Sequence, residues 1–182
     1  MTFRPHPLFL VLIGLAMLTG VGLLGQRWMP MLSPQQAIAE GLRTPVDLPG
    51  LGLSLTRTPE ACLTLAMYWE AKGEGVVGMA AVGAVVMNRT GSRLFPNDVC
   101  AVVTQGGEGG PCQFSFWCDG RSDRPVERTP WQNARKLAQV LLAGRLTDPS
   151  EGALYFHAGH VSPYWMTAFE PTVRIRNHFF YR

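Results

Sequence analysis

A chain of 182 residues, 47% of them apolar, has room for one globular domain plus an appendage. The net charge is only +3, no basic run of five residues occurs, and no helix-turn-helix or aromatic–basic pattern is present, so nucleic acid is excluded as an expected partner.

After a short N-terminus (residues 1–7), Leu8 to Gly25 carries no charge and is rich in Leu, Val, Ile and Met, long enough to cross a bilayer as a helix. Arg4 and Arg27 flank it and barely bias its orientation. The alternative is a cleavable signal peptide, but the one good small-x-small site, Ala37-Ile38-Ala39, lies far beyond the apolar run. The expectation is an uncleaved, single-pass signal-anchor. Cys62, Cys100, Cys112 and Cys118 all follow it, an even set suited to two disulfides in an oxidising compartment, with three possible pairings. That places residues 1–7 in the cytoplasm and the domain outside. Residues 26–57, punctuated by Pro30, Pro34, Pro45 and Pro49, read as a tether with a short helix near Pro34–Leu42, and residues 58–182 as the domain.

The domain opens on a helix. Thr58 suits its N-cap, Pro59 its first turn and Glu60 the positive end of its dipole, with Gly73 as the expected stop. Leu63, Ala66, Met67 and Glu70 recur at three- and four-residue spacing and share one face. An acid on the apolar side of a helix is costly unless it is paired or put to use. It is therefore either a structural ion pair, with Arg89 or Arg174, or a catalytic group. Gly75 to Arg89 is apolar almost all round and reads as a buried helix, with Gly78, Ala80, Ala81, Gly83 and Ala84 allowing close approach.

Ser92–Asp98 is a loop, Val99–Val103 a short apolar run, and Gln105–Pro111 a Gly-rich segment. Cys112 to Gly120 alternates like a short strand or exposed finger, with Phe114 and Phe116 on one side and Gln113 and Ser115 on the other. Aromatic rings beside amide and hydroxyl groups suit a sugar-binding cleft; a disulfide-stapled core hairpin fits equally. Arg121–Arg128 is charged and solvated. From Thr129-Pro130, a stripe of Trp131, Ala134, Leu137, Ala138, Leu141 and Leu142 predicts a core helix ending at Gly144. Asp148–Gly152 is a turn, Ala153–Met166 packs aromatics around two histidines, and Val173–Arg176 alternates like a final strand.

Several chemistries are poorly supported. There is no H-E-x-x-H or C-x-x-C, so no metal is expected. No G-x-S-x-G elbow, phosphate loop or dinucleotide fingerprint occurs, no cofactor is expected, and paired cysteines leave no thiol nucleophile. Carboxylate chemistry remains, with Glu70 and Glu74 first and Asp119 and Asp123 behind.

Six segments, Y-W-E-A-K-G-E-G, G-x-x-A-V-G-A-V-V-M-N-R, F-P-N-D-V-C-A-V-V, C-Q-F-S-F-W-C-D-G, Y-F-H-A-G-H-V-S-P-Y-W and N-H-F-F-Y-R, appear in the order found in SleB/CwlJ-type cell wall hydrolases, which residues 60–182 resemble. Where that family usually shows E-A-R-G-E, this chain has Lys72, which keeps the charge but loses the guanidinium fork. Spore-germination members also carry a separate peptidoglycan-binding domain that is not seen here, so a role in spores is not implied.

The resemblance implies an α+β, mainly α, lysozyme-like domain with a small β-finger or sheet, acting on the β-1,4 bond between N-acetylmuramic acid and N-acetylglucosamine as a lytic transglycosylase or muramidase. Glu70 matches the catalytic glutamate. Glu74, four residues on, is expected to tune it or bind substrate. Gln113, Ser115, Tyr155 and His157 are candidate sugar contacts, with a core role for Tyr155 as the alternative. The partners so implied are peptidoglycan strands and, through the anchor, a bacterial cytoplasmic membrane, with the domain on the periplasmic side. A non-catalytic peptidoglycan-binding scaffold and an amidase cutting the peptide stem are the competing readings.

Overall fold

The computed structural model describes residues 29–40, 57–107 and 111–182. The expected anchor at Leu8–Gly25 lies outside the described residues; among those described, no helix is long and apolar enough to cross a membrane. The elements are α1 (Pro34–Glu40), α2 (Pro59–Ala71), α3 (Gly75–Gly91), α4 (Val99–Val103), α5 (Arg128–Leu142), β1 (Tyr155–Ala158), β2 (Pro171–Ile175) and β3 (His178–Tyr181).

Helix α2 starts as its signals predict: the Thr58 hydroxyl accepts from the Ala61 amide at 3.2 Å, and Pro59 occupies the first turn. It is not amphipathic, however. Every residue from Cys62 to Tyr68 is buried, because α3, α4 and α5 all pack against it. The expected single apolar face is thus a helix buried all round over nearly two turns. Nor does Gly73 end it. The α-helix stops at Ala71, a 3₁₀ turn spans Lys72–Glu74, and the change of direction falls at Gly75, whose φ of 71° is open to glycine at little cost. A side chain there would also meet the Arg176 guanidinium.

Helix α3 is the buried helix expected from Gly75–Arg89. At Gly83 a Cβ would come within 2.6 Å of both Leu141 and Met67, so the missing side chain is what lets α2, α3 and α5 meet. The Val99–Val103 run forms α4, capped by the Asp98 carboxylate on the Ala101 amide at 2.8 Å. Helix α5 begins at Arg128, with no side-chain cap, and buries Trp131, Ala134, Leu137, Ala138 and Leu141; Leu142 is exposed.

The three-stranded antiparallel sheet runs β1-β3-β2, with Phe156 opposite Phe180 and His157 opposite Phe179. The single final strand expected over Val173–Arg176 is instead a hairpin, which turns at Arg176 (φ 51°) and Asn177. Phe180 packs with Ala81 and Val85 of α3, joining sheet to helices. The disulfides are Cys62–Cys100, which ties α2 to α4, and Cys112–Cys118. Cys112–Gly120 contains no strand, and a 3₁₀ turn at Ser115–Trp117 stands in its place; the small sheet of the expected finger or sheet is formed by β1, β3 and β2 instead. The side assignment holds all the same, with Phe114 and Phe116 buried and Gln113 and Ser115 exposed.

Residues 29–40, read from the sequence as tether, pack on the domain. Leu32 and Ala37 are buried, the Leu32 amide donates to the Arg145 carbonyl at 2.7 Å, and the Thr147 amide donates to the Leu32 carbonyl at 2.9 Å. The short helix falls where Pro34 predicts, and the boundary at Thr58 leaves out a segment that belongs to the core.

Candidate active site

Three successive residues near the end of α2 point in three directions, as a 3.6-residue repeat requires. Tyr68 is fully buried, and its hydroxyl accepts from the Val126 and Glu127 amides, both at 3.0 Å, which fixes the chain entering α5. Trp69 donates its indole N–H to the Asp123 carbonyl at 3.2 Å. Glu70 lines a cleft of about 430 Å³.

Trp69 and Phe116 give that cleft its aromatic surface. The rest of the lining is polar, built from Ser115 and the segment Asp119–Asp123. There the Asp119 carboxylate accepts from the Arg121 amide at 2.8 Å, holding the turn. The Cys112–Cys118 disulfide closes the loop that carries Ser115 and Phe116. Behind them Arg89 is buried. It donates through Nε to the Leu154 carbonyl at 2.7 Å and lies over the rings of Phe95, Phe114 and Tyr155. Burial lowers its pKa to about 10. This cation fastens the loop to the start of β1 without touching an acid.

Among the described residues Glu70 has no ion-pair partner. The structural pairing with Arg89 or Arg174 is therefore not made: Arg89 is engaged as above, and Arg174 lies over the Phe179 ring. Burial pushes the Glu70 carboxyl up to about 7, because removing solvent penalises the charged form. No neighbouring charge contributes to that shift. Glu74, whose helix does not continue from α2, accepts instead from the Asn177 amide at 2.9 Å and its side-chain amide at 3.3 Å, across the hairpin turn. Asp123 is also raised, by burial first and then by Asp119. Lys72 pairs with Glu127 at 2.6 Å and sits over the rings of Tyr68 and Trp69.

Of the other candidates, Ser115 shares the cleft with Glu70. Gln113, Tyr155 and His157 do not line it. Tyr155 stacks on Phe169 at 4.0 Å between ring centres. His157 lies against Phe179 and Tyr181, with Nδ1 3.0 Å from the Ala158 carbonyl and Nε2 3.0 Å from the Tyr181 hydroxyl. A carbonyl only accepts, so Nδ1–H donates to it. Phe116, one of the rings that the sequence offers for a sugar cleft, lines it, whereas no sequence pattern points to Trp69, Arg121 or Ser122. Arg121 and Ser122 were read as solvated, and only their closeness to C-D-G could have signalled otherwise.

An acid kept protonated near neutral pH beside a polar wall and an aromatic face can deliver a proton to a leaving oxygen. These features define a small, mainly helical domain with a carboxyl group set in a polar cleft. The sequence profile of the Cell Wall Hydrolase family matches residues 73–181, and the chain belongs to that family. A spore cortex-lytic enzyme of Halalkalibacterium halodurans is 35% identical over 116 residues, which make up 63% of this chain and 32% of that protein. The spore cortex-lytic enzyme of Bacillus subtilis is 34% identical over 119 residues, 65% of this chain and 35% of that protein. The chain thus spans about a third of the length of these curated relatives. Among solved structures, the catalytic domain of the germination-specific lytic transglycosylase SleB from Bacillus anthracis superposes with a TM-score of 0.56 at 27% identity, covering 71% of this chain and 98% of that one. The catalytic domain of the Bacillus cereus SleB protein gives 0.53 at 26% identity, covering 68% and 90%.

Proposed function

We propose that this domain cleaves the glycan strands of peptidoglycan at the β-1,4 bond between N-acetylmuramic acid and N-acetylglucosamine, as a lytic transglycosylase, with Glu70 as the acid and then the base. The observation that carries the reading is the Glu70 carboxyl, unpaired among the described residues, raised to about 7 by burial alone, and lining a polar cleft. In the first half-reaction Glu70 gives its proton to the glycosidic oxygen as the C1–O bond breaks. In the second, the carboxylate so formed removes the proton of the muramyl C6 hydroxyl, whose oxygen bonds to C1. The product is a 1,6-anhydro end, no water is consumed, and Glu70 regains its proton. Ser115 and the Asp119–Asp123 wall bind sugar hydroxyls in this scheme, and Trp69 offers a ring face to a pyranose. A hydrolytic outcome is the second reading, favoured by Asp119 and Asp123, which line the same cleft and could serve as the base for a water.

We read Leu8–Gly25 as a single-pass anchor holding the domain outside a bacterial cytoplasmic membrane. The uncharged run and the two disulfides support this. Fractionation with and without high-salt or alkaline washing checks it; release into the wash argues against a membrane-spanning helix.

Incubating the full chain with purified sacculi and weighing the released muropeptides tests the activity. Anhydro ends, lost with Glu70→Gln, are expected. Reducing muramic ends indicate hydrolysis, free stem peptides an amidase, and no release a binding scaffold.

A further inference from the structure

We infer that the small apolar pocket beside the cleft is a second subsite, which receives the peptide carried by the muramyl sugar: a small aliphatic side chain enters the pocket and a neighbouring carboxylate meets Arg57. The inference rests on the reading of the cleft as a glycan-strand site.

Position is the first argument. Ala61 and Leu65 line the pocket and Trp69 lines the cleft. At four-residue spacing the three occupy one face of α2, so the pocket lies about 6–12 Å along the helix from Trp69. Phe116 lines both spaces. They are consecutive stations of one surface, and a strand held at Glu70 carries its substituents along it.

Size and polarity are the second. The pocket is about 110 Å³, with Val103 and Trp117 completing its carbon walls. A cavity of about 150 Å³ holds a benzene ring, so this one takes an alanyl-sized group and excludes a pyranose. Charge is the third. The Arg57 guanidinium lies 5.2 Å from the centre of the Trp117 ring, at the edge of the pocket. Among the described residues it has no carboxylate partner. An arginine held on a ring face presents its fork to a carboxylate. A sugar acetamido group would fill the pocket but offers the cation only a neutral carbonyl, whereas a peptide beginning with alanine and continuing through an acidic residue supplies the aliphatic group and a charged acceptor as well.

The test uses the full chain carrying Glu70→Gln, so that ligand is not consumed, and measures its binding to two fluorescently labelled probes. One is uncrosslinked glycan strands with their peptides; the other is the same strands after enzymatic removal of the peptides. Peptide-bearing strands are expected to bind roughly tenfold more tightly, the size of one well-made charge-assisted contact. Arg57→Glu, at an exposed position, and Ala61→Phe, which fills the pocket, should each abolish that preference by weakening the peptide-bearing probe alone. Equal binding of the two probes overturns the inference and leaves the pocket and Arg57 to groups of the glycan itself, the acetamido group or the lactyl carboxylate exposed when the peptide is removed. Equal weakening of both probes by Arg57→Glu overturns it too. If the parent chain releases nothing from sacculi while the preference persists, glycan cleavage fails and the subsite stands; cleavage without the preference is the reverse.

Discussion

Replacing Glu70 by glutamine should stabilise the protein at alkaline pH while removing its activity. The carboxyl has an ordinary value of 4.5 and is pushed up to about 7 by burial. At about 1.4 kcal/mol per tenfold change in proton affinity, this corresponds to about 3 kcal/mol. The folded state holds the proton more tightly than the unfolded state, so the associated stability is complete below pH 4.5. It drains away as pH rises through 7, where the folded protein must carry a buried charge. Glutamine has nearly the same shape and no proton to lose. The stability of Glu70→Gln relative to the parent should therefore improve by about 3 kcal/mol between pH 4 and pH 8.5. Urea unfolding of both proteins at the two pH values, with disulfides oxidised, measures it. A difference that stays constant across that range would refute the argument, since the carboxyl would then have the same proton affinity folded and unfolded.

Three further outcomes follow from the same geometry. If Glu70 acts as the acid, kcat/KM for muropeptide release should fall above a midpoint near pH 7, about tenfold per pH unit, because only the protonated form starts the reaction; a flat profile from pH 6 to 9 would contradict this. Glu74→Ala should leave that midpoint in place, since burial rather than a neighbouring charge sets it, but should cost about 1 kcal/mol by releasing Asn177 at the hairpin turn. Tyr68→Phe removes the acceptor of two amide hydrogens and should cost about 1–2 kcal/mol in urea unfolding without altering the helix content seen by circular dichroism.

The fold was legible where local rules operate alone. Thr58-Pro59 marked the start of α2, small residues marked α3, and the 131–141 stripe marked α5, because caps and periodicity act over a few residues. Where several elements converge, the pattern misled. Glu70 appeared at the end of one apolar face, yet α2 is enclosed by three helices and buried all round from Cys62 to Tyr68, opening again only at Trp69 and Glu70. Gly73 looked like the stop because it is the first glycine; the turn belongs to Gly75, where the backbone needs positive φ. The alternation over Cys112–Gly120 predicted the inward and outward sides correctly but not the 3₁₀ turn, since two large rings bury as readily from a stapled loop as from a strand. Glu70 was visible as an acid out of place. Asp119 and Asp123 were visible only as spare carboxylates; their place in the cleft comes from the Trp69 indole and from the turn held by Asp119, neither of which leaves a spacing to read.

The sequence Tyr68-Trp69-Glu70 has a consequence for how the protein tolerates change. One residue holds the entry to α5, the next holds the polar wall, and the third is the buried carboxyl, all on a single turn of a helix wedged among three others. A slight rotation of α2, from a poorly fitting substitution at Met67, Gly83 or Leu141, would move the acid, the ring face and the wall's anchor together. With Glu70 as the proposed acid, repacking of this core should therefore register as lost turnover before it registers as lost stability.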